Sequence, residues 1–271
     1  MEEQRLKAIR ERIDVIDGEL LRLVSERAAC ARDVAKIKDE NGTERHYYRP
    51  EREAEILRRI KAQNPGPLDD EEVARLFREI MSACLALEKP LTVGYLGPEG
   101  TFTQAAALKQ FGHSVRTQPF ATIGDIFREV EAGSCDFGVV PVENSTEGVV
   151  SHTLDMFMQS PLRIAGEVTL RIHHHLLSRA TEIGAVRRVY SHQQSLAQCR
   201  GWLDRHLPNA ERVPVGSNAE AAKRASRAGD SAAVAGEAAA EIYDLRMLAH
   251  CIEDEPGNTT RFLVIGPEDP P

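Results

Sequence analysis

The segment CLALEKPLTVGYLGPEGTFTQAAA, residues 84–107, contains the change of texture on which the fold turns. Its first part ends a helical pattern. Lys89-Pro90 breaks that pattern, because proline has no N–H to give a helix and biases the preceding residue away from helical torsions. LTVGYL then reads as a short apolar strand, GPEG as a turn, and TFTQAAA as the start of a new helix with Thr101 and Thr103 at its opening. One domain therefore ends near residue 90, and a domain of another class begins at 91.

Before the break the pattern is helical throughout. Ile9, Ile13, Ile16, Leu20 and Leu23 recur at steps of four and three, the narrow stripe of a helix packed on helices, and predict one helix over residues 5–40 with Gly18 as its only interruption. Asn41-Gly42 supplies a stop signal. Pro50 opens a second helix through EREAEILRRIKAQ, and NPGPLDD, with Asp69 and Asp70 as capping candidates, leads into a third, EEVARLFREIMSACLALE. The first helix would be about 50 Å long at 1.5 Å per residue, with too little chain to cover its own stripe, so a homodimer or higher homo-oligomer is expected.

After the break, short apolar runs alternate with helical stretches: LTVGYL, DFGVVPV, RIAGEVTLRI, RRVYS, ERVPV, SAAVA and RFLVIG, separated by segments such as LAQCRGWLDRHL and AEAAKRASRAG. That alternation implies βαβ units and a mainly parallel sheet. About 180 residues is large for a single α/β layer, so two lobes with a cleft between them are expected.

The full chain of 271 residues carries 34 Lys/Arg against 42 Asp/Glu, a net charge of -8. That balance argues against a nucleic-acid binder or an anionic-membrane binder, whose affinity rests on a cationic surface. Hydrophobic residues make up 42% and charged residues 28%, enough for real cores. The five cysteines are widely spread without CxxC spacing, which fits neither a disulfide framework nor a zinc cluster and points to a reducing cytoplasm. The charged start MEEQRLKAIRERID lacks the apolar core of a signal peptide, and no apolar run is long enough to span a membrane.

Within the helical region Arg27 and Lys38 are eleven residues apart, hence only about 20° apart around the helix and about 16 Å along it, so two long side chains could grip a small dianion. Arg10 lies about 100° round from Arg27 and could reach only a partner's site. On spacing alone these residues read more readily as three of the 18 Lys/Arg set against 20 Asp/Glu on solvated faces of residues 1–90 than as a site. IRERIDVID, LVSER, KIK and YRPERE, in this order and closed by a third helix, nevertheless resemble the all-helical type of chorismate mutase, an intertwined dimer of three-helix chains.

The resemblance implies a pericyclic rearrangement of chorismate to prephenate, in which the protein holds a compact conformer and stabilises charge on the ether oxygen. It implies that Arg10 of the partner chain, Arg27 and Arg52 bind the two carboxylates, that Lys38 donates to the ether oxygen and that Glu53 orients the ring hydroxyl. This chain has Arg49 where the common pattern has an Asp, and Glu88 where many members have a Gln. Arg49 is counted with the substrate contacts, as is Cys84, one turn before Glu88. A protonated Glu88 would donate to the ether oxygen and an ionised one would repel it, so mutase activity is expected to be greater at mildly acidic pH.

In the second region four segments stand out: YLGPEGTFTQAAA, VPVENSTEG, SHQQSLAQC and GNTTRFLVIG. Gly94, Gly97 and Gly100 fit neither a dinucleotide fingerprint nor a P-loop, whereas a helix N-terminus with Thr101 suits a carboxylate. A polar cluster at a strand's C-terminal end, such as Glu143-Asn144-Ser145-Thr146, is where open α/β sheets bind ligands, although it reads as well as a capped turn. Together the four resemble prephenate dehydratase over residues 91–267, with two α/β lobes like type II periplasmic binding proteins. Crossovers are then expected near 166–178 and 243–262.

The division expected is 1–90 and 91–271, the lobes being about 91–166 plus 245–271 and about 167–244. The reaction expels hydroxide and CO2 from prephenate to give phenylpyruvate, in bacterial phenylalanine synthesis. The resemblance implies Thr260 as the essential threonine donating to the leaving hydroxyl, Arg261 as carboxylate partner, although at a strand entrance it reads also as a structural ion pair, Asn144, Ser191 and Gln198 as neutral positioning groups, and Glu143 as an acid. A family glutamate expected before Ser217 is Gly216 here.

No cofactor is needed for either step, and no metal: His173, His174 and His175 have no nearby Cys or acid pattern to complete a site. The partners expected are therefore chorismate, prephenate and a second copy of the chain. After Gly266 nothing resembles the small phenylalanine-binding regulatory domain usual in such proteins, and weak feedback inhibition is the expectation.

Overall fold

The computed structural model describes residues 1–41 and 48–267, so Gly42 of the stop signal and the tail beyond Pro267 lie outside the described residues. These residues fall into two compact units, Met1–Leu91 with Phe111–Val115, and Thr92–Gln110 with the chain from Arg116 onward.

The first unit contains α1 (Glu2–Asn41), α2 (Pro50–Gln63) and α3 (Asp70–Glu88). At 40 residues α1 is about 60 Å long. Helix α2 starts with Pro50, whose missing N–H is one the first turn leaves unpaired anyway. Helix α3 is capped by Asp69, whose carboxylate accepts from the Glu72 amide at 2.8 Å. Leu57, Ala74 and Met81 form a small core where α2 meets α3. The apolar stripe of α1 stays open: Ile9, Ile13, Ile16, Leu20 and Leu23 are 57%, 49%, 45%, 55% and 51% exposed.

The second unit has two sheets. The first draws on β1 (Thr92–Leu96), α4 (Phe102–Phe111), β2 (Arg116–Phe120), α5 (Ile123–Glu131), β3 (Phe137–Asn144), β4 (Gly148–Val149), α6 (Ser151–Phe157) and β5 (Arg163–Arg171). The second draws on β6 (His175–Ser178), β7 (Arg188–His192), α7 (Gln193–Gln198), α8 (Arg200–His206), β8 (Glu211–Val215), α9 (Asn218–Ala225), β9 (Ser231–Ala235), α10 (Glu237–Ile242) and β10 (Arg246–Ala249). The chain then returns as β11 (Thr259–Gly266) to the first sheet, whose order is β2-β1-β3-β11-β5 with β4 on β3; the second sheet runs β10-β6-β9-β7-β8.

Neither sheet is mainly parallel as the alternation suggested. Strands β1, β2 and β3 are parallel, but β11 runs antiparallel to both β3 and β5. The reason is topological: the second lobe is inserted between β5 and β11, so the returning strand enters the first sheet from the opposite end. The chain changes sheets at residues 172–174 and 250–258, so the whole of β5 stays in the first sheet and β10 belongs to the second. The expected single helix LAQCRGWLDRHL is two short helices, α7 and α8, meeting at Cys199.

Apolar side chains cover both faces of the second sheet, with Leu176, Val189 and Val234 on one and Leu177, Ala233 and Ala235 on the other. Between β1 and α4, Gly100 sits at φ +86°, in the left-handed region that glycine adopts without a Cβ clash. Its N–H donates to Gln104 Oε1 at 2.7 Å, which fixes the entrance to α4.

Candidate active sites

Helix periodicity gathers the first constellation. A cavity of about 330 Å³ in the helical unit is lined by Arg27 and Lys38 of α1, Arg49, Arg52 and Glu53 at the start of α2, and Cys84 and Glu88 of α3. Seven residues spread over 62 positions thus meet in one place. Arg10 does not line this cavity; it stands exposed on α1. Arg52 and Glu53 lie in the first turn of α2 and both line the cavity, Arg52 exposed and Glu53 half-buried.

Two carboxyls here are shifted. Burial pushes the Glu88 carboxyl above the usual range, against the opposing pull of Lys38 and then Arg27. Burial likewise raises Glu53, opposed first by Arg78, whose guanidinium lies 3.4 Å away. Sequence reasoning missed Arg78. A partly buried acid on α2 demands a counter-charge, and the facing helix could have been searched for one.

The second constellation lines a cleft of about 410 Å³ in the α/β unit, at the C-terminal ends of β1, β3 and β7 and the N-terminal end of the antiparallel β11. Thr101, Asn144, Gln198 and Thr260 all face it. Asn144 and Thr260 are paired across β3 and β11, and Asn144 Nδ2 donates to Thr260 Oγ1 at 2.7 Å and to Asn258 Oδ1 at 2.9 Å. The Asn144 side-chain carbonyl oxygen accepts from the amides of Thr146 and Glu147, which locks its orientation. Because Thr260 Oγ1 accepts from Asn144, its own proton is left to donate into the cleft. Thr101 donates to the Leu96 carbonyl at 2.9 Å and opens α4, so the helix's first-turn amides face the cleft with the positive end of its dipole.

From the other lobe Gln198 Oε1 lies 2.8 Å from His174 Nε2. The His174 ring is 2% exposed, packed edge-on against Phe102, and burial lowers its pKa, so it stays neutral. Donation from Nε2 to Gln198 directs the Gln198 amide NH2 to the cleft. Gln194 Nε2 donates across the cleft to Glu147 at 3.0 Å.

Three expected contacts are corrected. Arg261 is separated from the cleft by strand alternation: Thr260 and Phe262 face inward, and Arg261 faces the other side of the sheet. There its guanidinium binds Glu167 through two nitrogens at 3.0 and 2.8 Å and Glu143 at 2.7 Å, so Glu143 is an ion-pair partner and not an acid in the cleft. Ser191 is fully buried, its hydroxyl 2.7 Å from the Val234 carbonyl and 2.9 Å from Asn218 Oδ1. The side chain that reaches the cleft is Asn218. No Lys or Arg is among the described residues lining this cleft.

Residues 93–270 match the prephenate dehydratase family model, and residues 9–89 match chorismate mutase type II. A bifunctional chorismate mutase/prephenate dehydratase from Stutzerimonas stutzeri is 60% identical over 274 positions, covering 100% of this chain and 75% of the relative. The chain belongs to the bifunctional chorismate mutase/prephenate dehydratase family.

The homologue of the same name from Pseudomonas aeruginosa matches to the same extent, 60% identity over 100% of this chain and 75% of its own length. A prephenate dehydratase from Arthrobacter aurescens, solved in complex with L-Phe, superposes with a TM-score of 0.60 and 36% identity over 65% of this chain and 60% of that one. This bifunctional enzyme thus converts chorismate to prephenate and prephenate to phenylpyruvate, in L-phenylalanine synthesis. No helix among its described residues is long and apolar enough to cross a membrane. Beyond the residues its motifs carry, the dehydratase cleft is lined by Asn218 and Asn258, which sequence reasoning passed over, and by His174, which it weighed only as a metal ligand. Asn258 stands two residues before Thr260 and could have been read with it.

Proposed function

We propose that residues 1–90 carry the mutase step and residues 91–271 the dehydratase step, the latter in lobes of about 91–171 plus 259–271 and about 175–249, joined by crossovers at 172–174 and 250–258. The observation that carries the mutase reading is the convergence of Arg27, Lys38 and Arg52 on one cavity. Chorismate's two carboxylates take Arg27 and Arg52 by bidentate contact, with Arg10 of a second chain and Arg49 at the rim. Lys38 and a protonated Glu88 donate to the ether oxygen as its bond breaks, while Glu53, steadied by Arg78, orients the ring hydroxyl and Cys84 packs against the ring. No nucleophile takes part; pre-oriented donors stabilise the charge that develops.

In the dehydratase step Thr260 donates its proton's hydrogen bond to the departing hydroxyl, held in aim by Asn144. The amides at the start of α4, the Thr101 turn, Gln198 and Asn218 position the carboxylates. A cleft with no Lys or Arg among the described residues lining it suits this chemistry. The ring carboxylate has to lose its charge as CO2, and a tight guanidinium pair would stabilise the ion that must disappear. Hydroxide and CO2 leave together as the ring becomes aromatic.

The enzyme works as a homodimer or larger assembly in the reducing cytoplasm. The open apolar face of α1 supports the first statement and five free cysteines support the second. The test is one reaction: chorismate with purified protein, following chorismate, prephenate and phenylpyruvate separately. Thr260→Val should stop at prephenate, and Arg52→Ala should leave chorismate unconverted while prephenate is still consumed. Phenylpyruvate formation surviving in Thr260→Val would overturn the assignment.

A further inference from the structure

We propose that His173, Cys251 and Glu253 form a zinc(II) site that braces the two crossovers of the dehydratase. The sequence argued against metal at the triple histidine because no Cys or acid lies near it in the chain. The fold supplies both: one nitrogen of His173, the Cys251 sulfur and a Glu253 oxygen all lie within 4.8 Å of one another. Tetrahedral zinc with bonds of about 2.0–2.3 Å needs its donors roughly 3.3–3.8 Å apart, which small rotations of these side chains provide. A thiolate, an imidazole and a carboxylate with one open position for water is a donor set that suits zinc better than magnesium or calcium.

The surroundings hold two donors ready. Glu253 is anchored at both oxygens, one accepting from the His174 amide at 3.0 Å and one lying 2.7 Å from His173 Nδ1. Cys251 sits at φ +48°, a conformation costly for a residue with a side chain, and its N–H lies 3.2 Å from His175 Nδ1. Retained strain of this kind concentrates at functional positions. On binding, the Cys251 thiol gives its proton to solvent and its sulfur lends an electron pair to the metal.

The location gives the site a consequence. His173 belongs to the outgoing crossover, and Cys251 and Glu253 to the returning one, the two connections about which the lobes must turn to open and close. Metal tying these strands holds their relative twist and slows prephenate turnover. None of its donors belongs to the helical unit, so the mutase rate is the internal control.

Metal-free full-length protein titrated with cobalt(II) should take up one equivalent, showing four-coordinate visible absorption and a thiolate-to-cobalt charge-transfer band that zinc(II) abolishes. Cys251→Ser should lose that band and weaken zinc binding by at least about 10-fold, whereas Cys30→Ser should keep it. His173→Gln provides a second arm, with circular dichroism and mutase rate reporting folding. Zinc should lower prephenate turnover in the parent enzyme and not in Cys251→Ser. A band absent from the parent, or surviving in Cys251→Ser, overturns the site. Bound zinc that leaves prephenate turnover unchanged overturns the bracing.

Discussion

Replacing Glu88 by glutamine isolates the most unusual group in the mutase cavity. In the parent enzyme burial raises the Glu88 pKa, and the cations Lys38 and Arg27 only partly oppose it. The sign follows directly: below its folded pKa the group is a neutral acid that donates to the ether oxygen, and above it a carboxylate that cannot. Mutase kcat should therefore fall with rising pH, by about 10-fold per unit once the pKa is passed, since the donating fraction falls in that proportion. The fall levels off when the donor is lost outright, a penalty of about 10²–10³, or roughly 2.7–4 kcal/mol, for one pre-oriented donor. A glutamine side chain keeps an N–H donor at every pH, so Glu88→Gln should be flat over pH 5–8 and exceed the parent at the alkaline end. The assay is initial chorismate loss at saturating substrate across that range, with prephenate turnover as a check on integrity. A parent profile that is flat over pH 5–8, or a Glu88→Gln variant that keeps the slope, would refute the reasoning.

Thr260→Val should cost dehydratase kcat about 10²–10³ with little change in the KM for prephenate, while Thr260→Ser recovers most of it; equal losses in both would mean the methyl group matters more than the proton. Arg261→Ala should leave the KM for prephenate nearly unchanged and lower thermal stability, because its guanidinium faces Glu143 and Glu167 away from the cleft; a large KM rise would restore it as a substrate contact. Leu20→Asp on the open face of α1 should dissociate the assembly and remove mutase activity together, since a charge buried between helices costs several kcal/mol; an active monomer by light scattering would contradict the role given to that face.

Much of this was legible in the chain. The four-and-three stripe of α1 and the break at Lys89-Pro90 located the helical unit, and helical geometry placed Arg27 and Lys38 on the same cavity. What could not be read were facts set by pairing register. A one-residue alternation separates Thr260 from Arg261, and only β11's place beside β3 and β5 reveals that Glu143 and Glu167 are waiting for the guanidinium. Ser191 looked like a ligand because it ends a strand, yet the close approach of β9 buries it and hands the contact to Asn218. The parallel-sheet expectation failed for the same reason, since alternation of strands and helices carries no record of an inserted lobe.

The position of β11 also dictates an order of assembly. This last strand fills the middle of the first sheet, between β3 and β5. During synthesis those two strands are complete some 90 residues before their shared neighbour exists, and each must wait with an unpaired edge. The helices of the mutase can close on one another long before. Thr260 arrives on the strand that completes this sheet, so the hydroxyl proposed to donate to the leaving group and the closing of the sheet come in a single late event, and a chain cut short of β11 should not dehydrate prephenate.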